Sequence, residues 1–451
     1  MDFVFLFLLM SIVRHAIIPA ITSRLFTITI ALLSGHILLD YDQSTLLHTT
    51  QTNIIQSTIL NQIHPSFQNQ PLVSTNSVCS STADSYIVHF LRPLVRWDAV
   101  YFLDIAKSGY RLENQHAFFP ALPLLMRFVR LLFDPNHTMC HEAANTVAGL
   151  MISNVAFVLA ATALFRLSKQ LSFRPNTSRL AVTIWCLIPS SIFLSSIYTE
   201  SLFAFFTFQG MLSYSRGNRF QASIWWSFSA LTRSNGIIYI GFFIWDILHH
   251  AKKWQSSFVF LVMRSILYSG LVLLPFVGFQ WYGYQMFCVS SVTTRPWCSQ
   301  TIPMLYSFVQ DYYWNCGFLK YYTLQQLPLF FLAFPVFFIQ FYTIWHYFKS
   351  DPKRFMTLGF LTDSKNSQLE FGQSKLLPFI YLSLFMVFYC GLFMHVQVVL
   401  RFMTSQPIVY WFIASRLNQK SVPSIVKVYL YYCVVYGSIG AVLFGTFLPP
   451  A

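Results

Sequence analysis

Long apolar segments alternate with short polar ones along most of the chain. Mainly apolar runs cover residues 16–39, 144–165, 180–197, 199–215, 221–233, 237–250, 258–284, 325–348, 376–395, 398–414 and 425–447. A helix that crosses a bilayer needs about 20 such residues, whereas the strands of a membrane barrel alternate apolar and polar positions. The pattern therefore predicts an all-α polytopic membrane protein with one transmembrane helix for each run, about eleven in total.

Two long polar intervals, residues 40–143 and 285–324, interrupt this pattern. If the N-terminus is cytoplasmic, 17 of the 29 lysines and arginines lie in cytoplasmic loops and 10 of the 15 acids on the opposite side. Basic residues accumulate in cytoplasmic loops. We therefore expect a single membrane domain over residues 1–451, with the two intervals as lumenal loops. Met1 to Val13 lacks a basic start and a cleavage site, so it is predicted to begin the first membrane element.

The first predicted lumenal loop changes character along its length. Residues 43–85 are rich in Ser, Thr, Gln and Asn, which is typical of an irregular or partly disordered insertion. Residues 97–106 have helical spacing, and 117–133 resemble a helix that lies in the membrane interface. The sequon at Asn136 is predicted to be glycosylated, whereas the sequon at Asn176 falls on the cytoplasmic side and is expected to stay bare.

Composition and motifs exclude several functions. The net charge of +14 comes from loops between apolar runs, which favours topology over a nucleic-acid partner. A phosphate-binding P-loop, a GxSxG nucleophile elbow and an HExxH zinc motif are all missing from the sequence. We therefore expect no metal site and no cofactor. Cys186 and Cys390 lie in apolar runs and are predicted to be inert, whereas Cys288, Cys298 and Cys316 share one polar loop in which a disulfide is an option.

Acids and a histidine are concentrated in a polar stretch beside the membrane. Asp98 follows Trp97, and Asp104, Glu113 and His116 come within the next 18 residues. Asp98 is either a general base that removes a proton from a hydroxyl or the cap of the helix that follows. Trp97, Asp104 and His116 are candidates to bind a substrate, and Glu113 is a candidate catalytic residue. The alternative for Asp104, Glu113 and His116 is a solvated loop group.

Charged residues also interrupt later apolar runs. Glu200 lies at a tight turn and is either a helix cap or part of a lumenal site. Arg233 interrupts a hairpin at a position where a cation is costly in the bilayer, which favours a role with a partner or an anionic ligand. His395, Gln397 and Arg401 supply donors suited to a lipid phosphate, and the alternative is a snorkelling Arg beside a satisfied His.

Five stretches, in order over residues 96–411, together resemble the GPI mannosyltransferase 2 family, of the membrane glycosyltransferase class called GT-C. The stretches are Arg96-Trp-Asp-Ala99 with Gly109-Tyr110 and Ala117-Phe-Phe-Pro120; Ser196-Ile-Tyr-Thr-Glu-Ser201; Ala230-Leu-Thr-Arg-Ser-Asn-Gly236; Trp314-Asn-Cys-Gly317; and His395-Val-Gln-Val-Val-Leu-Arg-Phe402 with Pro407 and Tyr410-Trp411. The insertion at 43–85 and the short apolar N-terminus have no counterpart that aligns.

The resemblance implies an inverting, metal-independent enzyme of the endoplasmic reticulum membrane with a lumenal active site. Such an enzyme takes mannose from dolichyl-phosphate-mannose and adds the second mannose, α1,6-linked, to a GPI-anchor precursor. By analogy Asp98 is the general base, while Glu113 or Glu200 orients the acceptor or Asp98. Our own physical inference, which the family motif does not fix, is that Arg233, His395 and Arg401 hold the leaving phosphate.

Three other functions stay open at this point. The first is another dolichyl-phosphate-mannose-dependent mannosyltransferase, which acts on a different GPI mannose or on an N-glycan precursor. The second is a secondary transporter, although the sequence has no internal repeat and its polar groups cluster on the predicted lumenal side. The third is a non-catalytic scaffold subunit, against which the retained charges argue. The identity of any accessory membrane subunit is left open.

Overall fold

The computed structural model describes residues 10–41, 79, 81–250, 256–290, 295–361 and 370–449. The described part of the chain is helical and contains no strand. In chain order the helices are α1 (Ile18–Ile37), α2 (Thr82–Leu91), α3 (Asp98–Ser108), α4 (Ala121–Phe133), α5 (His141–Gln170), α6 (Pro175–Cys186), α7 (Glu200–Ser215), α8 (Arg219–Thr232), α9 (Ile240–His250), α10 (Ser256–Tyr284), α11 (Leu305–Tyr312), α12 (Leu327–Ser350), α13 (Pro352–Met356), α14 (Leu377–Phe393), α15 (Val399–Phe402), α16 (Pro407–Leu417) and α17 (Ser424–Gly445).

Six helical segments in the described residues are long and apolar enough to cross a membrane. They are Met10–Ile37, His141–Gln170, Phe258–Val289, Leu324–Ser350, Ser374–Phe393 and Ser424–Gly445. The prediction of an all-helical membrane protein is therefore confirmed. The five other predicted segments fall on shorter helices, from α6 to α9 and α16. Of the predicted N-terminal element, residues 1–9 lie outside the described part, and a helix is present from Met10.

The helices are held together by an apolar core that runs through most of the chain. Helix α5 packs along α7, α7 packs against α8, and α8 packs against α10, while α6 lies against α16. The first helix packs along the last, where Gly35 and Gly445 let the two backbones approach, since a Cβ at Gly445 would lie 2.5 Å from the carbonyl oxygen of Ala31. This arrangement leaves the charged motifs at one end of α7, α8 and α15.

Hydropathy predicts a single helix over the apolar run 180–197, but the structure breaks this run into two parts. Helix α6 ends at Cys186, and a short 3-10 turn over Ser191–Leu194 precedes α7. The break frees backbone carbonyls inside the protein, and Arg24 of α1 binds them: its guanidinium donates to the carbonyl oxygens of Ser191, at 2.6 Å, and Cys186, at 3.2 Å. Buried carbonyls need such donors, so Arg24 is a structural cation in a membrane helix.

Both predicted lumenal loops carry a disulfide. Cys288 pairs with Cys298, which the sequence left open, and Cys79 pairs with Cys140, which it did not anticipate. Cys186 and Cys390 are free and buried, as predicted, and Cys316 is free. Most of the predicted irregular insertion 43–85 lies outside the described residues. At its end the prediction is wrong, because α2 already begins at Thr82, where Asp84 accepts a hydrogen bond from the backbone N–H of Cys140.

Candidate active site

A strained turn presents Asp98 at the start of α3. Trp97 has a φ of 55°, which is rare for a residue with a side chain and costs about 1–3 kcal/mol. Two contacts hold this turn. The Trp97 ring stacks on Phe447, with centroids 4.8 Å apart. The Tyr198 hydroxyl accepts a hydrogen bond from the backbone N–H of Asp98 at 3.2 Å and donates to the carbonyl of Arg96 at 3.2 Å. The Asp98 carboxylate is thus set in a fixed direction.

Asp98 belongs to a chain of alternating acids and bases. Arg401 Nη1 lies 2.9 Å from Asp98 Oδ2, while its Nε donates to Glu200 Oε1 at 2.5 Å. Arg233 Nη1 donates to the same Glu200 oxygen at 2.6 Å. The Asp98 side chain is 30% exposed, whereas that of Glu200 is fully buried. One buried carboxylate therefore aligns two guanidinium groups, and one of these guanidinium groups also contacts the accessible carboxylate. Neither acid is a helix cap, which was the alternative for each.

Three separated pieces of chain bring these charges together. Glu200 opens α7, directly after the break that Arg24 supports. Arg233 lies in the turn between α8 and α9, where Gly236 packs so closely on α8 that a Cβ would lie 2.4 Å from the backbone nitrogen of Ala230. Arg401 lies on α15, and its guanidinium sits over the ring of Tyr198, 5.0 Å from the centroid. Such cation–π contacts stabilise a partly desolvated guanidinium.

Glu113, predicted to orient the acceptor or Asp98, lies away from the Asp98 cluster and links the two polar loops. Its buried carboxylate accepts hydrogen bonds from Arg295, at 2.9 and 2.5 Å, from Trp297 Nε1 at 2.7 Å and from the Tyr313 hydroxyl at 3.1 Å. Burial and the Glu113 carboxylate raise the pKa of Tyr313 to about 12, so this hydroxyl stays a donor. All these partners belong to the second loop, which places both loops on the same side of the protein.

Asp104 and His116 organise the first loop. Asp104 accepts hydrogen bonds from Arg111 at 2.8 Å and from Gln115 at 2.6 Å, and so fixes the segment that follows α3. His116 is 1% exposed and stacks on Phe279, with ring centroids 5.1 Å apart. Burial lowers the pKa of His116 to about 4, so the imidazole is neutral at physiological pH. Both residues are placed to shape the loop around α3.

His395 and Gln397 are placed near the second loop, on the segment that leads to Arg401. His395 Nε2 lies 2.7 Å from the carbonyl oxygen of Trp314, and its ring stacks on Tyr321 with centroids 4.4 Å apart. Gln397 lies beside the Tyr321 hydroxyl. The structure thus joins Asp98, Glu200, Arg233 and Arg401 in one cluster, flanked by Trp97, and places His395 and Gln397 in a second contact region.

Sequence reasoning missed three residues that position the charged groups described here. Tyr198 was quoted only as part of a motif, although its hydroxyl fixes the Asp98 turn. Arg24 could have been identified from the sequence, because it is a lone cation inside the apolar run 16–39. Arg295 carried no local signal, because its partner Glu113 is 182 positions away in the chain. Spatial partners at such a separation cannot be read from one sequence.

The site has the groups that a group-transfer enzyme at a membrane needs. An accessible carboxylate can accept a proton, and guanidinium groups beside it can bind a phosphate on a lipid carrier. The described part of the chain also has six apolar helices of spanning length, and the charged groups lie on the shorter helices and turns between them. Together they define a membrane-embedded transferase.

Comparison with known proteins specifies the family. Residues 13–451 match the sequence profile described as "Mannosyltransferase (PIG-V)", so the chain belongs to this family of mannosyltransferases. "GPI alpha-1,6-mannosyltransferase 2" of Rattus norvegicus is 34% identical over 380 residues, 76% of this chain and 76% of the relative. The Homo sapiens protein of that name is 32% identical over 401 residues, 80% of each chain. "GPI mannosyltransferase 2" of Schizosaccharomyces pombe is 30% identical over 372 residues, 79% of this chain and 73% of the relative.

Proposed function

We propose that this mannosyltransferase transfers the second mannose, α1,6-linked, from dolichyl-phosphate-mannose to a GPI-anchor precursor. The names of the mammalian relatives support the acceptor and the linkage, and the name of the fission-yeast relative supports the acceptor. The main structural support for the proposed reaction is that the accessible Asp98 carboxylate pairs with Arg401, whose guanidinium is aligned by Glu200. It provides one group for the proton and one for the leaving phosphate, within a single cluster.

In the proposed reaction Asp98 is the general base. Its carboxylate removes the proton from the acceptor hydroxyl, while that oxygen forms a bond to the anomeric carbon of the donor mannose. The bond from this carbon to the phosphate oxygen breaks, and dolichyl phosphate leaves with the electron pair. One displacement inverts the configuration, so a β-linked donor gives an α-linked product. Proton transfer by a positioned side chain typically contributes 10²–10⁴-fold to the rate, in order of magnitude.

Arg401 and Arg233 are proposed to hold the donor phosphate. The guanidinium of Arg401 is planar, and in the structure its Nη1 binds Asp98 while its Nε binds Glu200. When a phosphate takes Nη1, the Asp98 oxygen is released for the acceptor hydroxyl, while Glu200 keeps the guanidinium in place. Because the Glu200 side chain is fully buried, its role is to align the guanidinium groups, and the accessible Asp98 carboxylate is the acid that meets the acceptor. Donor binding would thus activate the base.

The proposed topology places this cluster on the lumenal side of the endoplasmic reticulum membrane. The excess of basic residues in the other set of loops supports a cytoplasmic N-terminus. Disulfides in both polar loops suit an oxidising lumen. The family supports a membrane protein of this compartment. About eleven spans and the GT-C architecture are part of the same proposal, with the short helices α6 to α9 and α16 as the additional membrane elements.

The test uses cells that lack their own second GPI mannosyltransferase. Wild type, Asp98→Asn and the control Asp311→Asn are expressed at equal levels, and the accumulated glycolipid precursors are analysed. Asp311 is an exposed acid of the second loop, so its variant should behave as wild type. We expect wild type to clear the intermediate with one mannose and to restore surface GPI proteins, while Asp98→Asn leaves the intermediate uncleared.

The other outcomes separate the alternatives. Rescue by Asp98→Asn would exclude Asp98 as the base and direct attention to Glu200. Clearance of an intermediate with a different number of mannoses would indicate another mannosyltransferase that uses the same donor. Failure of wild type to rescue, despite normal expression, would contradict the proposed acceptor or reveal a required accessory subunit, and co-expression of the host's own subunits would distinguish these two.

A further inference from the structure

A cavity of about 280 Å³ lies at the C-terminal end of α5. Its lining residues are Ile12 of the spanning segment Met10–Ile37, Phe165, Arg166, Lys169 and Gln170 of α5, and Arg216 directly after α7. The Gln170 side-chain amide donates to the carbonyl oxygen of Ser215 at 3.5 Å, which links the ends of the two helices. Glu200 begins α7 at its other end, roughly 24 Å away over 16 residues. This α5–α7 cavity therefore lies at the opposite end of α7 from the cluster around Asp98.

The lining of the cavity carries three cations, Arg166, Lys169 and Arg216, and no acid among the described residues. All three residues are exposed, and none has an ion pair or a side-chain hydrogen bond within the described part of the chain. The Lys169 ammonium lies 5.7 Å from the centroid of the Phe165 ring, which forms part of the cavity wall. The described residues thus supply three positive charges to the cavity and no carboxylate counterion.

The charged groups around the cavity do not neutralise these cations. The charges that act on His15, beside the cavity wall, are those of Arg14 and Arg179. Asp246 of α9 lies near this end of the protein, but both of its carboxylate oxygens bind the Arg219 guanidinium, at 2.9 and 3.2 Å. The surroundings of the cavity therefore add positive charge, and the acid described here is committed to a different arginine.

Topology alone does not account for this arrangement. The positive-inside rule places cations in the loops at this end of the protein, and Arg174 and Lys420 are exposed cations of this kind. Neither of them lines the cavity. The convergence of three cations on one concave site is therefore a separate feature, and it suits an anionic ligand.

An exposed apolar strip on α5 leads to the cavity from the membrane. Met151, Val155 and Leu159 are spaced four residues apart and have exposed fractions of 50%, 56% and 41%. At about 100° per residue, Arg166 and Lys169 lie within about 60° of Met151 around the helix, so they continue the same face. The strip from Met151 to Arg166 is roughly 22 Å long, more than the roughly 15 Å of hydrocarbon in one leaflet. A lipid can therefore lie along α5 with its headgroup at the cavity.

We propose that the α5–α7 cavity binds the phosphomonoester headgroup of an anionic phospholipid, whose acyl chains follow the strip on α5. A phosphomonoester carries about −1.5 to −2 charges and three acceptor oxygens, which matches three cations better than the single charge of a phosphodiester does. Basic pockets between membrane helices are a general site for such headgroups. The cavity is slightly smaller than pockets that enclose a whole drug-sized ligand, about 300–1,000 Å³, so the chains remain in the bilayer. Because the site lies at the other end of α7, it is separate from the groups proposed for the mannose donor and acceptor.

Direct measurement of lipid binding provides the test. Full-length protein in a neutral detergent is titrated with phosphatidic acid, and native mass spectrometry counts the lipids bound to folded protein. Wild type should bind one molecule saturably, and more tightly than it binds phosphatidylserine or phosphatidylcholine. Arg166→Gln/Lys169→Gln should weaken this binding about 25-fold, because each lysine or arginine beside an anionic lipid contributes about fivefold. The matched control Arg174→Gln/Lys420→Gln removes two exposed cations outside the cavity and should keep the wild-type affinity.

Several results would overturn the inference. The absence of saturable binding to wild type would do so, as would equal affinity for phosphatidylserine. An equal loss in the two double variants would indicate bulk attraction to the basic surface. Equal affinity for glycerol 3-phosphate would assign the cavity to a soluble phosphate compound, and tighter binding of a polyglutamate peptide would assign it to an acidic protein segment.

A variant that fails to fold would not leave the question open. The thermal midpoint of each variant shows whether it is folded, and Arg216→Gln, which lies on a different element, should by itself weaken binding about fivefold. Unchanged binding of phosphatidic acid to folded Arg216→Gln would also contradict the proposal. The assay contains neither mannose donor nor acceptor, so its result does not depend on the proposed function.

Discussion

Arg401→Lys tests whether the fork of Arg401, and not only its charge, organises the site. The guanidinium contacts Asp98 through Nη1 at 2.9 Å and Glu200 through Nε at 2.5 Å. A lysine carries one compact ammonium and cannot reproduce two parallel contacts in a fixed plane. We therefore expect the variant to keep the Glu200 contact, because Glu200 is buried and would otherwise lose a partner, and to lose the contact to Asp98.

With both substrates bound, Nη1 would contact the donor phosphate in place of Asp98, and the size of the effect follows from the loss of that contact as the phosphate gains charge. A hydrogen bond between charged groups contributes about 1.5–3 kcal/mol, so kcat should fall roughly 10- to 150-fold. Transfer of mannose by purified protein is measured with saturating donor and acceptor. Arg111→Lys is the matched control, since its pair with Asp104 is 54% and 35% exposed and should affect the rate little.

A loss of folded protein would mimic a loss of catalysis. The thermal midpoint of each variant in detergent is therefore measured beside its activity. Arg401→Lys with a wild-type rate would refute the reasoning, because a single point charge would then suffice at this position. An equal loss of rate and of folded protein would mean that Arg401 acts on stability alone, and the two-contact argument would fail in that case too.

Three further predictions concern the loops. The pKa of His116 is about 4 in the folded protein and near 6.5 in the unfolded chain, because burial disfavours the charged imidazole. The free energy of unfolding should therefore be highest above pH 6.5 and fall by about 3 kcal/mol as the pH drops toward 4. Thermal unfolding measured against pH should show this loss, and His116→Phe should not. Glu113→Gln should destabilise the protein by about 2 kcal/mol, less than for a fully buried pair because the Arg295 side chain is 30% exposed; thermal unfolding of purified protein measures this, with the exposed Asp311→Asn as the near-neutral control. Asn136→Gln should increase gel mobility as much as an endoglycosidase does, because Asn136 is exposed; unchanged mobility would show that the sequon is bare.

The helical membrane class was predictable because hydropathy alone determines it. Runs such as 144–165 and 425–447 correspond to α5 and α17 with only small shifts at their ends. The run 180–197 did not become one helix, since Pro189 and a serine-rich segment interrupt it and Arg24 satisfies the freed carbonyls. Hydropathy averages over such a segment and cannot detect its internal break.

The candidate site was predictable in part, for a different physical reason. Arg233 stood out because a charge in an apolar run is costly unless it is paired, and Arg401 because its guanidinium suits a lipid phosphate. Glu200 stood out at a tight turn between two apolar runs, and Asp98 in a polar stretch beside the membrane where acids are concentrated. Which charges pair depends on helix packing, which a single sequence does not reveal. Glu113 lies in the same polar stretch as Asp98 but binds the second loop through Arg295 and Trp297. A buried charged residue can therefore either link two loops or belong to the candidate active site, and only its contact partners distinguish these two roles.

The cluster of Asp98, Glu200, Arg233 and Arg401 is not explained by a contribution to stability alone. Buried ion pairs contribute little net stability, because desolvation offsets most of their attraction. The two acids and two arginines together are neutral, so the donor phosphate would add one negative charge. In the proposed step Asp98 gains a proton and becomes neutral, while the departing phosphate gains the charge that Asp98 loses. Arg401, anchored by Glu200, would by then have exchanged its contact with Asp98 for one with the phosphate that gains this charge. The pairing is therefore best understood as an arrangement that keeps the electrostatic energy nearly constant as the negative charge moves from the base to the leaving group.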